Sequence, residues 1–487
     1  MRLVSSLVFL AFVSMAHAQP NPEPKDGKVV IPLTLSPTAL PKPLSRFYLT
    51  PQYKEMQPGN RIPSYMKAYM ETATFFSKDP AAEREKWNLT KLEDLPLEEI
   101  KKSNCIRGLA YMNPDDTFMK TPSGPITFAR SGRPLSDVDE GSRMLTSDWQ
   151  MWYQIRRDGF GTLMPEVQKM RELAGVLKVR MRYEIATKNF EKAAYSARTY
   201  FGLVQSFETH PTLIAALVGL SIETICLNAL EEMIQQPGCP NLYWSFTEIP
   251  VEVVNLRLAI QGEKLLCETL FGTLLKAKGE IPAAELARIF KELDTIVYLA
   301  RDGKKKSIPA STRYAEIVKD EKKVAAGRAF LIETGMQPDT VKTFSALQVI
   351  ATTDVRHYEV DLDEMFKSYG LPHPDSERIG NGIDTSPDAL LSWALLPATN
   401  AVRRARIRLQ QRVAYLRVIE AIRLHAFENA GKLPATLKAI KTPLPLDPVT
   451  GEAFQYSVKD DIATLTGGNP NPELATTNRV YEIRIRK

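Results

Sequence analysis

One stretch of the chain carries the side chains best suited to chemistry. Asp354, His357, Asp361 and Glu364 follow one another at i, i+3, i+7 and i+10. On a helix that spacing sets three carboxylates and an imidazole along one stripe. Such donors, projecting into a bundle, can hold a divalent cation. The stripe runs beside the apolar face, not within it, which is also how the solvated border of a helix looks. A second set lies just after Cys239. Asn241, Tyr243 and Trp244 place two flat rings beside an amide, with prolines on both sides. That combination lines a groove for sugar or peptide, or staples a loop onto a core.

The other candidates stand alone. His210 precedes Pro211 at a helix start and suits a turn or cap better than a base, because no partner pair is near in sequence. His373 lies in a proline-flanked loop, and His425 near the end of a helix, where a cation complements the dipole. Arg404, Arg408 and Arg412 stack on one side of a helix, as a solvated face or one that meets an anionic polymer. There is no HExxH, no GxSxG and no Walker A loop, and Gly380-Asn381-Gly382 reads as a turn. No catalytic residue and no cofactor are implied.

Helices must position these groups. The fold expected is mainly α, a multi-helix bundle of antiparallel helical hairpins with a small C-terminal α+β domain. Val167, Met170, Leu173, Ala174, Leu177 and Met181 step by three and four along one helix, and Phe190, Ala193, Ala194, Ala197, Phe201 and Val204 along the next. This hairpin resembles a single tetratricopeptide unit. Further helices are expected at 211–235, 251–278, 282–301, 312–333, 340–369 and 402–427, with Asp339 as N-cap and Gly370 as C′ residue of the fifth. Residues 371–387 read as a loop. Short strands are expected at 454–458, 462–465 and 480–485, the last alternating Tyr481, Ile483 and Ile485 with charged residues.

The chain has 487 residues, with 44% hydrophobic and 25% charged. These are the proportions of a soluble globular protein. A net charge of +6 is too mild for a nucleic-acid binder. Residues 1–18 read as a signal peptide: Arg2, an apolar run to Met15, then Ala16-His17-Ala18 before the cut. No transmembrane segment is expected after its removal. Residues 19–50 form a proline-rich extended arm, 51–145 short helices and an irregular connection, 146–387 the helical domain, and 388–487 the α+β domain. Cys105, Cys226, Cys239 and Cys267 allow three pairings, among which the sequence does not choose. The absence of CxxC disfavours a redox or zinc site.

Three stretches together, PGNRIPSYMKA at 58–68, HPTLIAALVGLSIE at 210–223 and QQPGCPNLYWSFTEIP at 235–250, resemble an uncharacterised family of large exported helical bacterial proteins. The resemblance runs from about residue 30 to about residue 390 and brings no activity. GKLPATLKAI at 431–440 and PLDPVTGEAFQY at 445–456 are similar to the C-terminal half of type II secretion pseudopilins. That likeness implies a helix followed by a small sheet. It also makes Asp447, Asp460 and Asp461 candidate calcium ligands, or ordinary turn carboxylates. The function expected is an exported, non-enzymatic binding or scaffolding protein of the periplasm or cell surface, with a protein partner in the envelope. The alternatives are an envelope hydrolase or lyase with a metal-dependent site, and a component of a secretion or surface-assembly system.

Overall fold

The computed structural model describes residues 27–75, 78–103, 119–121, 124–126, 134–159, 162, 164–300, 309–381, 389–471 and 474–486. The leader at 1–18, Cys105 and the side chain of Cys267 lie outside the described residues. The described residues begin with strand β1 (Val29–Leu35), then β2 (Gln57–Asn60) and helices α1 (Arg61–Phe75), α2 (Lys78–Leu89) and α3 (Leu97–Lys102). The stretch expected to be irregular holds a hairpin of β3 (Met119–Thr121) and β4 (Gly124–Ile126), helix α4 (Pro134–Gly141) and, at its end, strand β5 (Met144–Thr146); helix α5 (Trp152–Asp158) follows, within the part expected to be helical.

The central hairpin forms as expected. Helix α6 (Pro165–Ala186) starts on Pro165, whose missing N–H is no loss at that position. Helix α7 (Phe190–Gln205) is capped by Asn189, which accepts from the Lys192 amide. Helix α8 (Leu213–Ile234), capped by Thr212, packs on both. It is apolar and long enough to cross a bilayer, but 72% of its apolar window is buried inside the protein. Helices α9 (Tyr243–Thr247), α10 (Leu256–Leu275) and α11 (Ala283–Ala300) follow. Gly262 lets α10 pass directly over the start of α8: a Cβ there would sit 1.7 Å from the Pro211 carbonyl oxygen.

Four expectations change in the next stretch. The helix expected over 312–333 is two, α12 (Ala310–Ile317) and α13 (Glu321–Glu333), because Asp320 caps the Lys322 and Lys323 amides and starts a new helix. The helix expected from 340 begins at Ala346 as α15 (Ala346–Ser368), capped by Ser345. Asp339 belongs instead to the single turn α14 (Pro338–Lys342). Arg328 donates to the carbonyls of Val341 and Phe344, which closes that turn off from α15. Residues 373–381, expected as loop, form α16 (His373–Asn381), tied down when Glu377 binds Arg403 at 2.7 Å and Arg404 at 2.9 Å. The helix expected from 402 is α17 (Leu390–Glu428), 39 residues long, which runs through Pro397.

Strands β6 (Gln455–Lys459), β7 (Ile462–Thr466) and β8 (Arg479–Ile485) form an antiparallel meander close to the expected bounds. A fourth strand completes the sheet, in the order β1-β8-β7-β6. It comes from the proline-rich arm: β1 lies parallel to β8 from Val29 opposite Arg479 to Leu35 opposite Ile485. Pro32 is accommodated because β1 is an edge strand. Helix α17 packs on α8, α9, α11 and α15 and also on β8, so bundle and sheet share one helix and one core.

The arginine side of α17 is not a solvated face. Arg412 is buried and paired with Glu231 of α8 at 2.6 Å, and Tyr481 of β8 donates to the same carboxylate at 2.6 Å. Arg404 is held by Glu377 and Asn471. Two turns on, Glu420 and Arg423 are both fully buried and 3.1 Å apart. Arg423 donates to the carbonyls of Ser36, Cys239 and Pro240 and to Thr38 Oγ1. Glu420 accepts from the Leu242 amide at 2.6 Å, and its own carbonyl accepts from Asn241 Nδ2. Removing one member strands a buried charge and several backbone groups. Arg423→Met is therefore expected to lower unfolding free energy by about 3–5 kcal/mol, as read by chemical denaturation. A loss under about 1 kcal/mol, typical of an exposed pair, would contradict this role.

Candidate functional site

An open trough of about 940 Å³ lies between α5, α10 and α15. Its floor is apolar, from Leu265, Phe271, Tyr358 and Leu362, because the inward faces of α10 and α15 meet there; Phe271 and Tyr358 pack edge to face at 6.0 Å. Its walls carry five cations, Arg156, Lys264, Lys276, Arg356 and Lys367, and four carboxylates, Glu268, Glu359, Asp363 and Glu364. The pairs are Lys264–Asp363 at 2.7 Å, Lys276–Glu268 at 2.6 Å, Arg356–Glu359 at 2.9 Å and Lys367–Glu364 at 2.6 Å. Only the first joins α10 to α15. Its hydrogen bond from Lys264 holds the Asp363 carboxyl below the usual range, while burial raises that of Glu359. Trp152, at the start of α5, leaves 43% of its surface exposed at the rim.

The expected acidic stripe exists on α15, but its four members go to different partners. Asp354 is buried, accepts from Tyr314 at 2.6 Å, and faces the Leu391 amide with both oxygens at 3.3 Å. Asp361 accepts from Ser392 Oγ at 2.5 Å. These two carboxylates thus receive the first turn of α17, where unpaired amides and the helix dipole favour negative charge. His357 stacks on Phe330 at 3.9 Å, and Glu364 alone reaches the trough. Among the described residues, no group of three or more His, Cys, Asp or Glu is placed to hold a metal ion.

Asn241 and Tyr243 are buried, and both serve the fold. The Asn241 amide bridges Glu420 and the Tyr243 N–H, and the Tyr243 hydroxyl donates to the Pro443 carbonyl. Trp244 stands against Tyr243 edge to face at 4.9 Å and keeps 36% of its surface exposed. Asp447 is buried and spends its carboxylate on Gln411 Nε2 and the amides of Val449 and Gly468. Asp460 and Asp461 form the β6–β7 turn, both with positive φ. Cys226 and Cys239 are free, buried thiols. The residues lining the trough gave no sequence signal beyond ordinary helical charge pairs, because three separate elements meet to form it.

His210 is fully buried, 3.1 Å from Thr212 Oγ1 and edge-on to Trp149 at 4.9 Å. In its turn-and-cap setting, Nε2 meets no hydrogen-bond partner among the described residues. Close by, Glu263 of α10 accepts from the Leu213 amide at 2.9 Å and so caps α8 from another helix. Comparison with protein-family models, with curated proteins and with solved structures finds no match to the chain.

Burial dominates the titration of several groups. It pushes the carboxyls of Glu184, Glu263 and Asp354 up to about 7 and that of Glu223 up to about 8. It brings His210 down to about 3 and Lys178 down to about 8. A raised carboxyl stabilises the fold fully below its unfolded value, and that stability is lost as pH rises through the folded one. His210 acts oppositely, its contribution disappearing as pH falls from about 6.5 toward 3. Between about pH 6.5 and 7.5 the carboxyls govern, below the range where Lys178 deprotonates. The thermal midpoint is expected to fall across that interval, and Glu263→Gln to flatten the slope. A midpoint that rises with pH there would contradict the assignment.

Proposed function

We propose that this protein is an exported, non-enzymatic binding or scaffolding module of the cell envelope, and that it holds a segment of a protein partner in the trough between α5, α10 and α15. The observation that carries this reading is the trough's wall of exposed ion pairs over an apolar floor. Exposed pairs contribute about 0–1 kcal/mol each, so an incoming segment with both signs of charge exchanges partners with them at little cost. Leu265 and Leu275, partly exposed, and Val360, 40% exposed, offer apolar surface that a partner can cover, and Trp152 offers an aromatic anchor at the rim.

A photo-reactive amino acid placed at Trp152, in cells making the full chain, tests this. One discrete adduct in the envelope fraction is expected, absent when the same group replaces exposed Glu321 of α13. Charge reversal by Lys264→Glu is expected to reduce the adduct at least tenfold. Identical adducts at both positions, or recovery of the chain outside the envelope, would overturn the proposal.

A further inference from the structure

A smaller groove of about 210 Å³ opens between α8, α17, the segment following α9 and the loop at 445–448. Leu220, Phe246, Ile249, Val254, Leu409 and Val413 make its wall apolar. At its lining, Val251 and Leu446 are 78% and 60% exposed, so the apolar surface continues into solvent.

Two polar side chains in this wall are unanswered. Glu223 of α8 is only 5% exposed and makes no hydrogen bond or ion pair among the described residues. Arg417 of α17 has no carboxylate partner there either; its guanidinium carbon lies 5.8 Å from the centre of the Tyr243 ring, and its Nε has no hydrogen-bond acceptor. The remaining wall cation, Arg406, is already paired with Glu252 at 2.7 Å. Arg412, the charge that acts on Glu223, is held by Glu231. Burial keeps the Glu223 carboxyl protonated at neutral pH. The groove then presents one uncompensated positive charge, on Arg417.

We propose that this groove binds a small monocarboxylate with an apolar body, the carboxylate on Arg417 and the body against Val254, Leu409 and Val413. A guanidinium and a carboxylate make strong charge-assisted hydrogen bonds, and the apolar wall increases their strength by excluding water. The volume exceeds the roughly 150 Å³ of a cavity that admits benzene, so it takes a single ring or a short aliphatic chain. An amine of the same shape meets repulsion from Arg417 and must first ionise Glu223. This site is separate from the trough and does not depend on the reading given to it.

Calorimetric titration of the full chain at neutral pH, with hexanoate and phenylacetate as probes and hexylamine and phenethylamine as controls, tests the proposal. The carboxylates are expected to bind saturably and the amines not. Arg417→Gln is expected to weaken binding at least tenfold, and Arg417→Lys to restore most of it. Val413→Phe, which fills the groove without changing charge, is expected to abolish binding while the thermal transition persists. Amine binding equal to that of the acids, unchanged affinity in Arg417→Gln, or no saturation at millimolar concentration would overturn the assignment. So would preference for a short peptide ending in phenylalanine over the free acid.

Discussion

Glu420 and Arg423, one turn apart on α17 and wholly out of contact with water, hold together parts of the chain that are far apart in sequence. Arg423 reads carbonyls on the segment after β1 and on the segment between α8 and α9. Glu420 takes the amide that starts α9. A buried ion pair contributes little net stability over an apolar replacement, but a half-made one is costly. The pair therefore acts as a positional constraint: only the native placement of Ser36, Cys239, Pro240 and Leu242 satisfies every donor and acceptor. Asn241 and Tyr243 serve the same junction.

The same device recurs through the bundle. Arg180 is buried and binds Asp139 of α4 through two bonds of 2.8 Å. Arg182 gathers Glu232 with the carbonyls of Trp87 and Thr90, and so seats α2 against α6 and α8. A planar guanidinium with five donors can satisfy several chain ends at once. The interior is thereby fixed polar group by polar group, as well as by apolar packing. The trough is built on the opposite rule: its charges are exposed and paired mostly along single helices.

Legibility in the sequence followed apolar periodicity. The α6–α7 hairpin, α8, α10, α11 and the three strands of the meander all carry it, and all were readable. Helix α16 was not, because HPDSERIGN has no apolar stripe and is held by arginines 26 and 27 residues downstream of Glu377. Pro397 hid the join between the apolar run at 390–396, itself readable as buried helix, and the helix from 402, and prolines hid β1. The stripe on α15 was correctly seen as a stripe. Its work depends on Tyr314, Leu391 and Ser392, which no local spacing announces. The arginines of α17 looked solvated for the same reason: their carboxylates come from α8 and α16. Charge placement in this protein is a tertiary property, whereas helix placement is largely local.

Strand β1 has a consequence for how the chain comes together. Its partner is β8, so nearly the whole described chain lies between the two halves of one ladder. Closing so long a loop adds only modestly to the entropic cost, which grows with the logarithm of length. Timing is affected far more. On the ribosome β1 emerges long before β8 exists, while the local hairpins between them can already form. The sheet thus works as a clasp fastened after the bundle is assembled, and a chain stopped short of residue 479 leaves an unpaired edge at each side of the gap.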